Sequence, residues 1–260
     1  MSKINLNKES HMLVSQNIPK VIHYCWFGGN PLPPLALKCI ESWEKYFPDY
    51  EIKEWNESNF DVNMIPYTEQ AQAAKKYAFV SDYARLWVLD KYGGVYFDTD
   101  VEAVKSFDDI LNEGAFIGLE STEEGSYLPA LGLGFACAPG SELVNELMRS
   151  YENDNFITPD GKQDLSTIVI RTANILKKHG FVEKNEIQKI QELTVYPVDY
   201  FCPKDFATGK LIITKNTHSI HWYDASWQPK SSKVFYSLVK RLPQPLRSGL
   251  KRFLKIVKGK

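Results

Sequence analysis

The segment YAFVSDYARLWVLDKYGGVYFDTD, Tyr77 to Asp100, constrains the fold more than any other part of the chain. Its first sixteen residues read as a strong helix. Phe79, Val80, Leu86, Trp87, Val88 and Leu89 make that helix largely buried. Gly93-Gly94 closes it, and Gly94 to Asp98 is then a short buried strand. The strand breaks into Asp98-Thr99-Asp100, two carboxylates that repel each other unless something separates them.

The flanking sequence supplies the partners of this unit. Ile18 to Trp26 is a β-rich apolar run ending in the loop Phe27-Gly28-Gly29-Asn30-Pro31. Pro33-Pro34 opens a helix with an apolar face from Leu35 to Phe47, and Pro48 stops it. Tyr50 to Trp55 alternates as a second strand, and residues 56–74 read as two short helical pieces. Strand, helix, strand, helix, strand in this order predicts an α/β layer with a largely parallel sheet. Beyond residue 110, strands are expected at Ala115 to Leu119 and Gly132 to Ala138, and helices at Ser141 to Tyr151 and Leu165 to His179. Thr194 to Phe201 and Leu211 to Trp222 look extended. The expected organisation is a loose arm over 1–17, one domain over 18–229 and a basic tail over 230–260.

Composition narrows the class. Hydrophobic residues at 43% and charged residues at 24% are ordinary for a soluble globular enzyme. A net charge of -1 predicts no dominant polyanionic partner, and so no nucleic acid. The balance is uneven, however: residues 230–260 hold ten Lys or Arg and no acid, leaving about -11 for the rest. Cys25, Cys39, Cys137 and Cys202 form no CxxC pair, so reduced, buried thiols are expected. The polar first 17 residues lack a signal-peptide core, and no run reaches the roughly 18 apolar residues of a membrane span. A cytoplasmic or peripheral protein is the expectation.

The acids carry the chemistry. Ligands of open α/β sheets bind at the carboxyl ends of strands. Side chains at i and i+2 of an extended chain face one volume, so Asp98 and Asp100 would converge there. Hard divalent cations use few carboxylates and complete their shell with phosphate and water, which suits a metal-bridged diphosphate. Asp82 and Arg85, one helical turn apart on the buried helix, either pair with each other or hold a polar ligand. Trp26, a large side chain at a strand end beside a glycine loop, is a stacking platform or a core residue. His23 reads as a satisfied core histidine. The stretch Glu120 to Asp164 is expected to hold acceptor-binding parts, with Asp164 either pointing into the cleft or capping a helix.

The pattern S-D-x-x-R-x-x-x-L-x-x-x-G-G-x-Y-x-D-x-D, Ser81 to Asp100, resembles the DXD-containing sugar-binding region of glycosyltransferase family 32. Fungal Golgi α-mannosyltransferases and the large glucosylating toxins share this signature. Two further stretches extend the resemblance: IPKVIHYCWFGG, Ile18 to Gly29, and HSIHWYDASW, His218 to Trp227. The resemblance implies a GT-A fold and metal-dependent transfer of a sugar from a nucleotide sugar to a hydroxyl, with retention. It implies that Trp26 stacks on the base, that Ser81, Asp82, Arg85 and Asp98 form the sugar site, and that Asp100, His221 and Ser226 hold Mn2+ or Mg2+. Trp227 would donate its indole N–H to the diphosphate. His218, on the opposite strand face from His221, is the weaker metal candidate.

In the tail, Leu246, Leu250, Phe253, Leu254 and Val257 form one helical stripe, with Arg247, Lys251, Lys255 and Lys258 beside it. Such a helix reads as an anchor on anionic lipid, or as a solvated helix packed on the domain. An anchor fits a lipid-linked acceptor in capsule or lipopolysaccharide synthesis on the inner face of the cytoplasmic membrane. The competing functions are a metal-dependent nucleotide-diphosphate phosphohydrolase and a non-catalytic glycan- or nucleotide-binding protein.

Overall fold

The computed structural model describes residues 18–122, 125–205 and 208–224. The arm, the tail and the expected site residues Ser226 and Trp227 lie outside them.

The first half of the chain winds as its hydrophobic pattern requires. Strand β1 (Val21–Cys25) leads through helix α1 (Pro34–Tyr46) to β2 (Glu51–Trp55), then through α2 (Pro66–Ala73) and α3 (Tyr77–Tyr92) to β3 (Gly94–Tyr96). β1 pairs in parallel with β2 on one side and β3 on the other. Pro34 sits in the first turn of α1, where its missing N–H has no intrahelical partner to lose. α3 buries Phe79, Val80, Leu86, Val88 and Leu89 together with Asp82 and Arg85. At its end Gly93 takes φ 60°, and a Cβ there would lie 2.6 Å from the Pro139 nitrogen. Only glycine closes that corner without strain.

Of the two helical pieces expected over 56–74, only α2 forms. Asn56 and Asn59 satisfy nearby backbone N–H groups instead, with Asn56 N–H donating to Asn59 Oδ1 and Ser58 N–H to Asn56 Oδ1. Such local bonds compete with a helix.

After Asp100 come β4 (Val101–Ala103), α4 (Asp108–Leu111), β5 (Phe116–Ser121), β6 (Tyr127–Cys137), α5 (Glu142–Glu152) and α6 (Ile168–Lys178). β7 (Gln188–Ile190), β8 (Leu193–Tyr196), α7 (Val198–Phe201) and β9 (Ser219–His221) complete the described residues. Among these, the large sheet runs β2-β1-β3-β6-β5-β8-β7. Its parallel ladders β2–β1, β1–β3 and β5–β8 are joined by antiparallel ladders that β6 makes with β3 and β5 and β7 makes with β8. Thr194 to Phe201, expected to be extended, stays so only to Tyr196, because Pro197 starts a helical turn. Of Leu211 to Trp222, only Ser219–His221 is a strand, with an isolated bridge between Leu211 and Lys204.

Alternate residues along the strands feed two cores. Val95, Phe97 and Phe116 join Trp43, Phe107 and Phe201 in one cluster. Tyr96 and Ile117 join Val80, Leu86, Leu147 and Leu176 in the other. The site is fixed where β3 leaves the large sheet. The chain turns through Asp98-Thr99-Asp100, with Val101 N–H donating to the Asp98 carbonyl at 3.1 Å, and enters a two-stranded sheet of β4 and β9. The expectation that Asp98 and Asp100 prolong β3 in extended form is corrected accordingly. They form the corner between two sheets, and each acid meets different partners.

Candidate active site

Arg85 lies at the centre of the first group. Its Nη2 is 3.2 Å from Asp82 Oδ1, and its Nη1 is 3.2 Å from Asp98 Oδ1. Nε donates to the Ser81 carbonyl at 3.1 Å, and the guanidinium lies 4.8 Å from the centre of the Tyr96 ring. Burial works against the charge, but Asp98, Tyr96 and Asp82 raise the Arg85 pKa above its already high ordinary value. One cation therefore joins the buried helix α3 to the corner after β3. Asp82 is enclosed, with Oδ2 accepting the Ile168 backbone N–H at 3.2 Å. Burial pushes its carboxyl up to about 6, against the opposing charge of Arg85. Asp98 is the more open acid: its side chain is 34% exposed against 11% for Asp82. It also accepts from Tyr96 Oη at 3.1 Å.

The second group follows from strand register. β4 pairs with β9 so that Val101 faces His221, which puts Asp100 beside the histidine. Asp100 Oδ1 is 3.2 Å from His221 Nε2, and Asp224 N–H donates to Asp100 Oδ2 at 2.9 Å. Burial alone would push His221 down, but the charge and hydrogen bond of Asp100 raise it well above the ordinary imidazole range. Burial likewise opposes Asp100, and His221 nonetheless holds its carboxyl below the ordinary value. The His221 Nδ1 is buried without a hydrogen-bond partner, although the Cys202 sulfur lies close enough to act on the ring.

This donor set fits a hard divalent cation in type: a carboxylate and an imidazole are both ligands that Mn2+ accepts. It does not by itself enclose one. Among the described residues, no three His, Cys, Asp or Glu side chains gather as a metal site, and the third expected donor, Ser226, lies beyond them.

The other expected residues divide by environment. The Ser81 hydroxyl donates to the Tyr77 carbonyl at 3.0 Å, so its carbonyl, rather than its hydroxyl, meets Arg85. Trp26 follows β1 at the same carboxyl edge as Asp98, half-buried, with Nε1 donating to the Asn30 carbonyl at 2.6 Å. Asp164 has structural work, accepting the Ser166 N–H at 2.9 Å and pairing with Arg171 at 3.2 Å. His218 pairs with Asp109 at 2.9 Å and stacks on Tyr200, away from Asp100. His23 accepts from Trp55 Nε1 at Nδ1, so its Nε2–H donates to the Gly93 carbonyl. Burial lowers its pKa to about 4, as befits a neutral core histidine.

Sequence reading left three contributors without a role. Tyr96 braces both Arg85 and Asp98, and its place two residues before Asp98 on one strand face was the available signal. Gly132 leaves room for Asp98, since a Cβ there would fall 1.9 Å from Asp98 Oδ2. Glu120, at the end of β5, lies within electrostatic reach of both His221 and Asp98, and burial raises its pKa. Only folding brings Gly132 and Glu120 to the corner, and no local pattern marks them.

The family described as "Glycosyltransferase sugar-binding region containing DXD motif" matches residues 33–117. That stretch contains Ser81, Asp82, Arg85, Asp98 and Asp100 but neither Trp26 nor His221. The chain is 30% identical over 115 residues to inositol phosphoceramide mannosyltransferase 3 of Schizosaccharomyces pombe, covering 43% of this chain and 32% of that protein. It is 26% identical over 205 residues to glucan organizing enzyme 1 of Cryptococcus neoformans, covering 75% of this chain and 51% of the relative. The chain thus spans from a third to half of the length of these curated relatives. Among solved structures, it is similar to a glycosyltransferase involved in glycosylation of the major capsid of PBCV-1. That likeness has 15% identity, a TM-score of 0.45, and coverage of 80% of this chain and 95% of the other.

Proposed function

We propose that the chain is a metal-dependent glycosyltransferase of the GT-A type, moving a sugar from a nucleotide-sugar donor to an acceptor hydroxyl with retention. One observation carries the reading: Arg85 bridges Asp82 and Asp98 beside the Asp100–His221 pair, all within or against the sugar-binding region. A guanidinium fixed by two carboxylates and a carbonyl keeps its planar donor fork in one orientation, which suits repeated recognition of sugar hydroxyls. Asp98 offers the accessible carboxylate to the donor, while Asp82 holds Arg85 from behind and extends the hydroxyl-binding set.

Asp100 and His221, with Ser226, would hold Mn2+ or Mg2+, which supplies positive charge where the departing diphosphate gains negative charge. Trp26 takes the base, and Trp227 donates to the diphosphate. No side chain is assigned as a covalent nucleophile. The acceptor hydroxyl attacks on the face the diphosphate leaves, and its proton passes to a diphosphate oxygen. The acceptor enters along the stretch that ends at Asp164.

The acceptor is a saccharide carried on a lipid, in surface polysaccharide synthesis on the inner face of the cytoplasmic membrane. The basic tail 230–260 attaches the protein to anionic lipid, and no described helix is long and apolar enough to cross a membrane. Incubation with a panel of nucleotide sugars, with and without Mn2+ and saccharide acceptors, tests the activity. Mn2+-dependent release of a nucleoside diphosphate is expected. Release of a nucleoside monophosphate would instead identify a phosphohydrolase.

A further inference from the structure

Between α7 and β9, a loop exposes three consecutive branched apolar side chains. Leu211, Ile212 and Ile213 are 39%, 52% and 55% exposed. Single apolar residues on a surface are ordinary, but a contiguous exposed run marks a contact. The exposure is built rather than slack. Asp205 N–H donates to the Lys210 carbonyl at 2.9 Å, and Ile212 N–H donates to the Pro203 carbonyl at 3.1 Å. The Thr214 N–H donates to Thr217 Oγ1, and its hydroxyl to Asp199. The backbone is satisfied from both ends while the apolar triplet points outward. Exposed Lys210 and Lys215 flank it, and Lys105 Nζ, reaching the Lys215 carbonyl at 2.9 Å, adds a third cation to the rim.

We propose that Leu211–Ile213 is a membrane-contacting wedge, seated at the headgroup–acyl boundary of an anionic bilayer with its lysines on lipid phosphates. Exposed apolar side chains with a lysine at either end of the run match that interface. The tail sequence also carries an apolar stripe, but its ten basic residues have the same sign as the lysines beside the loop, so an anionic surface attracts both. The loop is also tied to the site. Next to Pro203, the Lys204 ammonium donates to the Trp222 carbonyl at 3.0 Å, and Trp222 N–H donates to the Asp100 carbonyl at 2.9 Å. A wedge in the bilayer thus sits a few bonded steps from the Asp100 corner. This deepens the lipid-linked acceptor reading and rests on it for its purpose, while the contact itself rests on the loop.

The test uses the full chain with Ile212→Cys labelled by an environment-sensitive NBD fluorophore, a selective reaction because all four native cysteines are buried. On phosphatidylglycerol-containing vesicles, NBD emission shifts to the blue and brightens; on pure phosphatidylcholine it does not. Replacing Leu211, Ile212 and Ile213 together with Ser weakens vesicle binding about tenfold, as expected for lost apolar burial. The thermal midpoint and soluble-donor hydrolysis of that variant stay unchanged. Sedimentation with anionic vesicles and an unaltered NBD signal would overturn the wedge while leaving tail attachment intact. An NBD signal already blue-shifted before vesicles are added would mean that the tail or a second copy covers the loop, which also overturns it. Failure of the full chain to sediment even at low salt would overturn both wedge and tail attachment, and donor hydrolysis would still judge the catalytic reading separately.

Discussion

Asp100 and His221 come together, Oδ1 to Nε2 at 3.2 Å, because β4 and β9 pair in the register that sets Val101 against His221. His221→Ala removes the imidazole donor and should weaken Mn2+ affinity at least about tenfold, with nucleotide-diphosphate binding falling alongside. His218→Ala breaks the pair with Asp109 and should cost about 1–3 kcal/mol of stability with metal affinity unchanged. Mn2+ titration calorimetry on both variants checks this. The opposite ranking would place the metal at His218.

Arg85→Lys keeps the charge but loses the fork that reaches Asp82 and Asp98 at once. Turnover should fall by about two orders of magnitude, while affinity for the bare nucleoside diphosphate changes little. Arg85→Ala strips the cation from buried Asp82 and should cost about 3–5 kcal/mol of stability. Equal losses of turnover and bare-nucleotide affinity in Arg85→Lys would move Arg85 out of the sugar site.

Asp82 links stability to pH. Its carboxyl ordinarily titrates near 3.8, and burial pushes it up to about 6 in the folded chain. The folded state therefore holds more protons between those values, so the stability owed to this group is present at low pH and is lost as pH rises to about 6. The slope approaches about 1.4 kcal/mol per pH unit. Urea unfolding of wild type and Asp82→Asn from pH 4 to 7 isolates the effect, because the amide does not titrate. A stability difference that stays constant across the window would contradict it.

Gly132→Ala tests the packing around Asp98. The new Cβ would fall 1.9 Å from Asp98 Oδ2 and 3.2 Å from Arg85 Nη1. Asp98 is open enough to swing aside, so the fold should survive with a modestly lower thermal midpoint, while turnover collapses. A fully active Gly132→Ala enzyme would show that the Arg85–Asp98 contact is dispensable.

Legibility followed locality. The periodicity and glycine stop of α3 gave its range, Tyr77–Tyr92, a β-rich apolar run ending in a glycine loop gave β1, and alternation gave β2. Asp82 and Arg85 were readable as a pair because one helical turn separates them, and their contact at 3.2 Å is the local outcome. The corner at Asp98–Asp100 was not, because only the antiparallel pairing of β4 with distant β9 pulls the chain out of the large sheet. Gly132 and Glu120 reach the site through the β5–β6 hairpin, whose strands pair with a register shift between Ile117 and Gly118. α7 was missed where Pro197 outweighed a β-rich composition.

The most direct test of the central claim is Mn2+-dependent binding and turnover of a nucleotide sugar by Asp100→Ala. Its carboxylate lies at the corner between the two sheets, with His221 and the Asp224 N–H as its side-chain partners. The account predicts a variant that folds, binds donor without any response to Mn2+, and transfers no sugar. Wild-type Mn2+ dependence of binding and turnover in that variant would contradict it.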